Sequence, residues 1–134
     1  MFQESALEFL TSKDFHRLSN PGVTSLQLVS PHNSGSKQVT ITQVTVSPGG
    51  RQARHAHQAS EQIWIVTSGE GTLLLADGET RVIRSGEVVR FEKGDVHGVE
   101  VGEDQAFVYL AVTSPPVDFT SIYGRENKAV IGTM

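Results

Sequence analysis

His55 and His57, separated by one residue, have the types and spacing to do chemistry. On an extended strand residues i and i+2 project from the same face. Two imidazoles are then set side by side and can grip one metal ion, and imidazole suits zinc, copper, iron and nickel. Taken alone, such a pair is equally a solvated strand face. A third histidine, His97, stands forty residues beyond His57, after an apolar stretch at 88–91 and a tight turn at Lys93-Gly94-Asp95. If a barrel closes, this later strand returns beside the first and aims His97 at the same ion. Two oxygen donors, Glu61 and Gln62, lie between. Strand parity separates them: Gln62, Trp64 and Val66 share one face, Glu61, Ile63 and Ile65 the other.

The elements that must position these residues are strands. Stretches 23–29, 39–46, 63–67, 71–76, 80–83, 88–91, 96–101 and 106–112 are rich in β-branched and apolar residues, which favour strands. Asn20-Pro21-Gly22, Ser47-Pro48-Gly49-Gly50, Ser68-Gly69, Asp77-Gly78, Ser85-Gly86 and Pro115-Pro116 punctuate them. Asp-Gly is a hairpin signal. Turns recurring about every 8–12 residues without a long helical period predict an all-β sandwich or barrel. Minor helix is expected at the termini. A short one fits 4–10, and Phe119, Ile122 and Tyr123 suit a short helix or packed arm within 117–134.

The chain has 134 residues, the size of one domain, expected over 1–134. It has no cysteine, which excludes disulfides, thiolate metal sites, iron–sulfur clusters and cysteine nucleophiles. Net charge is −4 and the eleven basic residues are scattered, so no stripe tracks a phosphate backbone and nucleic acid is not expected as a partner. No apolar run approaches the ~18 residues of a membrane span, so no membrane partner is expected. The N-terminus has no basic stretch before its apolar residues, unlike a secretory signal, and a cytoplasmic location is expected.

The spacing of these residues resembles the cupin superfamily, in particular its small single-domain members. The first cupin motif is Gly, five residues, His-x-His, three or four residues, Glu, six residues, Gly. Gly49, His55, His57 and Gly69 fit it. The second is Gly, five residues, Pro-x-Gly, two residues, His, three residues, Asn. Gly86, Gly94 and His97 fit it, while Glu92 replaces the proline and Val101 the asparagine. The motifs span 49–69 and 86–101. The resemblance implies a double-stranded β-helix, or jelly-roll, barrel. It also implies one divalent transition metal ion per chain (Mn, Fe, Co, Ni or Zn) on His55, His57, His97 and a fourth ligand. Gln62 meets both motif spacings at the carboxylate position and is favoured; Glu61 is the alternative. Three histidines with glutamate leave a divalent site at charge +1, and with glutamine at +2. The more positive site better polarises a bound carbonyl or carboxylate. Four protein ligands leave open positions on a five- or six-coordinate ion, as catalysis requires. Ligating histidines must be neutral, so metal affinity is expected to fall below about pH 6.5.

Further candidates also carry purely structural explanations: solvated loop arginines, core aromatics and an exposed hairpin glutamate. Glu61, Glu92, Tyr109 and Arg54 are catalytic candidates: Glu92 as a general base or an acceptor behind a ligating imidazole, Tyr109 as an inward-pointing aromatic, and Arg54 with Arg51 as carboxylate binders at the barrel mouth. Trp64 is a candidate pocket wall and Gln43 a candidate donor beside the site. His16 and His32 are expected on the surface. The function implied is a metal-dependent enzyme acting on a small oxygenated molecule, such as a sugar acid or an enolisable carbonyl compound, by Lewis-acid isomerisation or elimination. A non-haem metal dioxygenase, a non-catalytic ligand-binding or sensor cupin, and a metal-free barrel are the alternatives. Open strand edges need cover, and a homodimer is expected.

Overall fold

Alternation along the strands decides how they pack. In a computed structural model that describes residues 7–117, every second residue of Thr40–Val46 and Phe107–Ser114 is buried. One face of each strand therefore lines an interior. Among the described residues ten strands are formed: β1 (His16–Asn20), β2 (Val23–Val29), β3 (Thr40–Val46), β4 (Arg51–His55), β5 (Glu61–Ser68), β6 (Glu70–Leu74), β7 (Thr80–Arg84), β8 (Val88–Phe91), β9 (His97–Glu100) and β10 (Phe107–Ser114). They build two antiparallel sheets, one ordered β1-β2-β3-β10-β5-β8 and the other β4-β9-β6-β7. This is the expected all-β double-stranded β-helix.

Register gives the six-stranded sheet its gradient. Val23 pairs with Val46, and Val46 with Phe107. The next inward level joins Ser25, Val44, Tyr109 and Val66. Beyond it come Gln27, Thr42, Ala111 and Trp64, then Thr40, Thr113, Gln62 and Phe91. The first levels are mainly apolar and join Leu73, Ile83 and Val99 in the core. The last levels are mainly polar. A change of side-chain chemistry along each strand thus becomes a change from one end of the barrel to the other.

The Asp77-Gly78 turn between β6 and β7 forms as its sequence requires, with both residues left-handed (φ 60° and 76°), which glycine and aspartate tolerate best. The polar strands β1 and β4 were not among the expected stretches. Both are edge strands, whose pairing comes from their neighbours β2 and β9 rather than from apolar alternation.

The short helix expected over 4–10 does not form in its described part. Residues 7–10 have no regular structure, and Leu7 and Phe9 are exposed; two turns without a packed apolar face do not hold a helix. The helical content of the described residues is one 3-10 turn at Ala76–Gly78. Residues 4–6 of that stretch, and Phe119, Ile122 and Tyr123 of the expected arm, lie outside the described residues. Among the described residues no helix is long and apolar enough to cross a membrane.

Candidate metal centre

Strands β4 and β9 run antiparallel, and His55 on β4 is the register partner of His97 on β9. The returning strand thus brings the third histidine beside the first. The pairing slips between Gln52 and His55, and at this irregularity the backbones come unusually close. A Cβ on Gly98 would sit 2.6 Å from the Gln52 carbonyl oxygen, so only glycine fits next to His97. His57 lies beyond the end of β4, in the connection to β5. His57 thus follows the strand in a stretch without regular structure, and the expected pairing of His55 and His57 along one strand is not formed, although their rings still lie together. The His57 carbonyl accepts a hydrogen bond from the Gly94 amide at 2.9 Å, tying this connection to the turn that precedes His97.

The three rings cluster. Centroids lie 5.0 Å apart for His55–His57, 4.3 Å for His55–His97 and 5.0 Å for His57–His97. One potential ligand nitrogen from each lies within 4.8 Å of the others. The Nδ1 atoms of His55 and His97 face the carbonyl oxygens of Ala53 and Asp95 at 2.9 and 3.0 Å. A carbonyl only accepts, so each Nδ1 carries the proton and each Nε2 keeps its lone pair. In His97 that Nε2 is buried without a hydrogen-bond partner. A buried lone pair on a backbone-oriented imidazole suits a metal ion.

Electrostatics agree. Burial lowers the His55 pKa, with an opposing pull from its bond to Ala53. Burial, then the neighbouring His55, push His57 down to about 4, against an opposing pull from the Gln62 side chain. Burial first, with smaller contributions from His55 and His57, brings His97 to about 3. All three rings are thus neutral near pH 7, and the onset of proton competition lies below the ordinary histidine range.

The fork between Glu61 and Gln62 has a clear geometry. Gln62 is buried on the inner face. Its Nε2 donates to Thr113 Oγ1 at 2.8 Å, and its Oε1 accepts from Trp64 Nε1 at 2.8 Å. Those two bonds orient the amide and leave its oxygen a second lone pair. Glu61 points the other way and pairs with Arg90 at 2.8 Å on the surface. Among the described residues no carboxylate joins the histidine cluster.

The walls are aromatic. Phe91 stacks on His97 (4.0 Å, 11°), and Trp64 meets His97 edge-on at 5.6 Å. Trp64 also stacks on Tyr109 (3.9 Å, 21°), whose hydroxyl donates to Gln52 Oε1 at 2.7 Å. Tyr109 is thus packed into the wall with its hydroxyl engaged. The remaining candidates are not gathered at the triad. Arg54 is exposed and its Nε donates to the Leu75 carbonyl at 2.8 Å. Arg51 pairs with Glu100 at 3.1 Å, and Glu92 with Arg90 at 3.4 Å, all exposed. Gln43 lies on the outward face of β3, and His16 and His32 are exposed. Sequence reasoning missed Gln52, Thr113, Gln27, Thr40 and Thr42 on the inner faces. Thr40 and Thr42 share parity with Val44 and Val46, a signal available once β3 is read as a strand.

The family model described as "Cupin domain" matches residues 42–113, and the chain belongs to that family. No curated protein matches the chain in sequence. Solved structures resemble it in fold. The polyketide cyclase RemF from Streptomyces resistomycificus superposes with a TM-score of 0.71 at 24% identity, covering 81% of this chain and 79% of that one. KdgF from Halomonas sp. gives 0.70 at 19% identity, covering 84% and 99%. A sugar phosphate isomerase of the cupin superfamily from Silicibacter pomeroyi gives 0.67 at 22% identity, covering 80% and 75%.

Proposed function

We propose that this cupin is a metal-dependent enzyme that isomerises, or eliminates from, a small oxygenated substrate such as a sugar acid or an enolisable carbonyl compound. His55, His57 and His97 hold one divalent transition ion, with the Gln62 oxygen as fourth ligand. The observation that carries this is the convergence of three neutral imidazoles, two of them locked by backbone carbonyls into the tautomer that leaves Nε2 free for a metal. When bound, such an ion acts as a Lewis acid on carbonyl or carboxylate oxygen.

The chain's own residues do the rest. The backbone carbonyls of Ala53 and Asp95 fix two ligand rings, and Trp64 and Thr113 fix the Gln62 amide. Phe91 and Trp64 wall the site against water, which strengthens every charge interaction inside it. Because all the donors are neutral, the site keeps the full charge of a divalent ion, which favours an anionic or enolising oxygen ligand. The fold is shared with a polyketide cyclase and a sugar phosphate isomerase, which supports reading this barrel as an enzyme. We place the enzyme in the cytoplasm as a homodimer of one barrel per chain, a pairing that sedimentation at micromolar concentration tests.

The test begins with protein refolded separately with Mn, Fe, Co, Ni and Zn. Each form is incubated in D2O with a panel of aldonates, 2-keto acids and β-dicarbonyl compounds. Metal-dependent loss of an α-proton signal, or a metal-dependent product without oxygen uptake, is expected. Oxygen consumption with the iron form would instead make it a dioxygenase, and binding without turnover would make it a sensor.

A further inference from the structure

A second group of buried polar side chains lies on the inner face of the six-stranded sheet, apart from the histidines. Gln27 and Thr40 are fully buried and Thr42 is 5% exposed. Both polar atoms of the Gln27 amide and the hydroxyls of Thr40 and Thr42 have no hydrogen-bond partner. Native interiors almost never leave such groups unpaired, and here four atoms from three residues cluster. Gln27 is the register partner of Thr42, and Thr40 lies two residues along the same face of β3.

The group is continuous with the candidate metal centre. Thr40 pairs across β10 with Thr113, and Thr113 pairs with Gln62. Thr42 pairs with Ala111, which pairs with Trp64. Ala111 is the smallest side chain on that level, so the path from Thr42 to the Trp64 wall runs over a single methyl group. Two strand spacings separate β3 from β5, about 10 Å, the span of a small elongated molecule.

The chemistry of the group selects its ligand. An amide and two hydroxyls each donate and accept, and none is charged. Among the described residues no lysine or arginine is buried on the inner faces of β2, β3, β10 or β5. Such a surface matches hydroxyl and carbonyl groups and offers nothing to balance a carboxylate or phosphate. We propose that Gln27, Thr40 and Thr42 form a subsite for the neutral, hydroxylated arm of an elongated ligand whose anionic head sits at the histidine centre. The proposal rests on the metal-centre function above and deepens it: the substrate carries its charge at one end and a polyol-like chain at the other.

The test compares two 2-hydroxy acids with the same chelating head, glycolate and gluconate, by calorimetry on nickel-loaded protein. Only gluconate has a polyol arm. Two or three new hydrogen bonds predict gluconate binding about tenfold or more tighter. The double variant Gln27→Leu, Thr42→Val is expected to weaken gluconate about tenfold or more while nickel and glycolate binding stay unchanged. Any chelation by the extra hydroxyls of gluconate is the same in wild type and variant, so the change between the two reads the arm alone. Thr40→Val, nearly isosteric, supplies a second and milder variant and is expected to lose part of the preference. Equal affinity for the two acids in the wild type, or a preference undiminished in both variants, overturns the subsite and leaves the metal-centre function standing. If nickel binds but neither acid does, the metal-centre function fails first and the subsite with it.

Discussion

The two ends of the barrel are built from the same strands and differ in what those strands turn inward. At one end Val23, Val46 and Phe107 meet in an apolar level. At the other, Thr40, Thr113 and Gln62 form a level of buried polar groups next to His57 and His97. The first end gains stability from area removed from water. The second has its polar groups desolvated and carries the candidate metal site. The contrast teaches that the sheet's register, more than its composition, separates the apolar core from the level that borders that site.

Each prediction strikes one end and measures the other. The largest effect is expected from Phe107→Ala. Phe107 is fully buried, and such a truncation costs about 3–5 kcal/mol, read as a lower urea midpoint. Metal stoichiometry at the far end should be unchanged in the fraction that stays folded. His97→Ala reverses the pattern. Metal affinity is expected to fall by more than about 100-fold, since even partners behind metal ligands carry about 10–100-fold. Competition with a chromogenic chelator measures it.

Gln62→Leu strikes the polar end beside the triad. It leaves Trp64 Nε1 and Thr113 Oγ1 without their present partner, at about 1–3 kcal/mol, and weakens metal binding less than His97→Ala does. Equal losses of metal in the two variants would contradict a fourth-ligand role subordinate to the triad.

pH separates the ends more gradually. Above pH 6.5 the rings are neutral whether folded or unfolded. Below it the unfolded histidines take up protons, while folded His57 and His97 stay neutral down to about 4 and about 3. The unfolded state then binds more protons, so stability of the metal-free protein falls as pH drops from about 6.5 towards 3. The slope is up to about 1.4 kcal/mol per pH unit for each such ring. Urea titrations at several pH values should show it, with a shallower slope in His97→Gln. The smallest effect is expected from Glu61→Ala, which removes a surface pair with Arg90 worth under about 1 kcal/mol and should leave metal content unchanged.

Much of this contrast was legible in the residues. The three histidines stand out by their spacing, and strands such as β2 and β8 follow from their β-branched runs with the expected bounds. What stayed hidden has physical causes. β4 reads Arg51-Gln52-Ala53-Arg54-His55, a polar run held by pairing to β9, and no local pattern announces pairing. The choice between Gln62 and Glu61 turns on which face of β5 points inward, and parity sorts residues into faces without saying which is inside. Thr40 and Thr42 read as ordinary strand formers in a Val-rich stretch. Their parity with Val44 and Val46 marks them as inward once β3 is read as a strand, but only the pairing shows that they lie beside Thr113 and Gln27.

The central claim is that three imidazoles converge on one ion. X-ray absorption on the nickel- or cobalt-loaded protein counts the imidazole ligands directly. Three histidine nitrogens with the remaining positions filled by oxygen are predicted, falling to two in His55→Ala. Fewer than three in the wild type, or a count unchanged by that substitution, would contradict it.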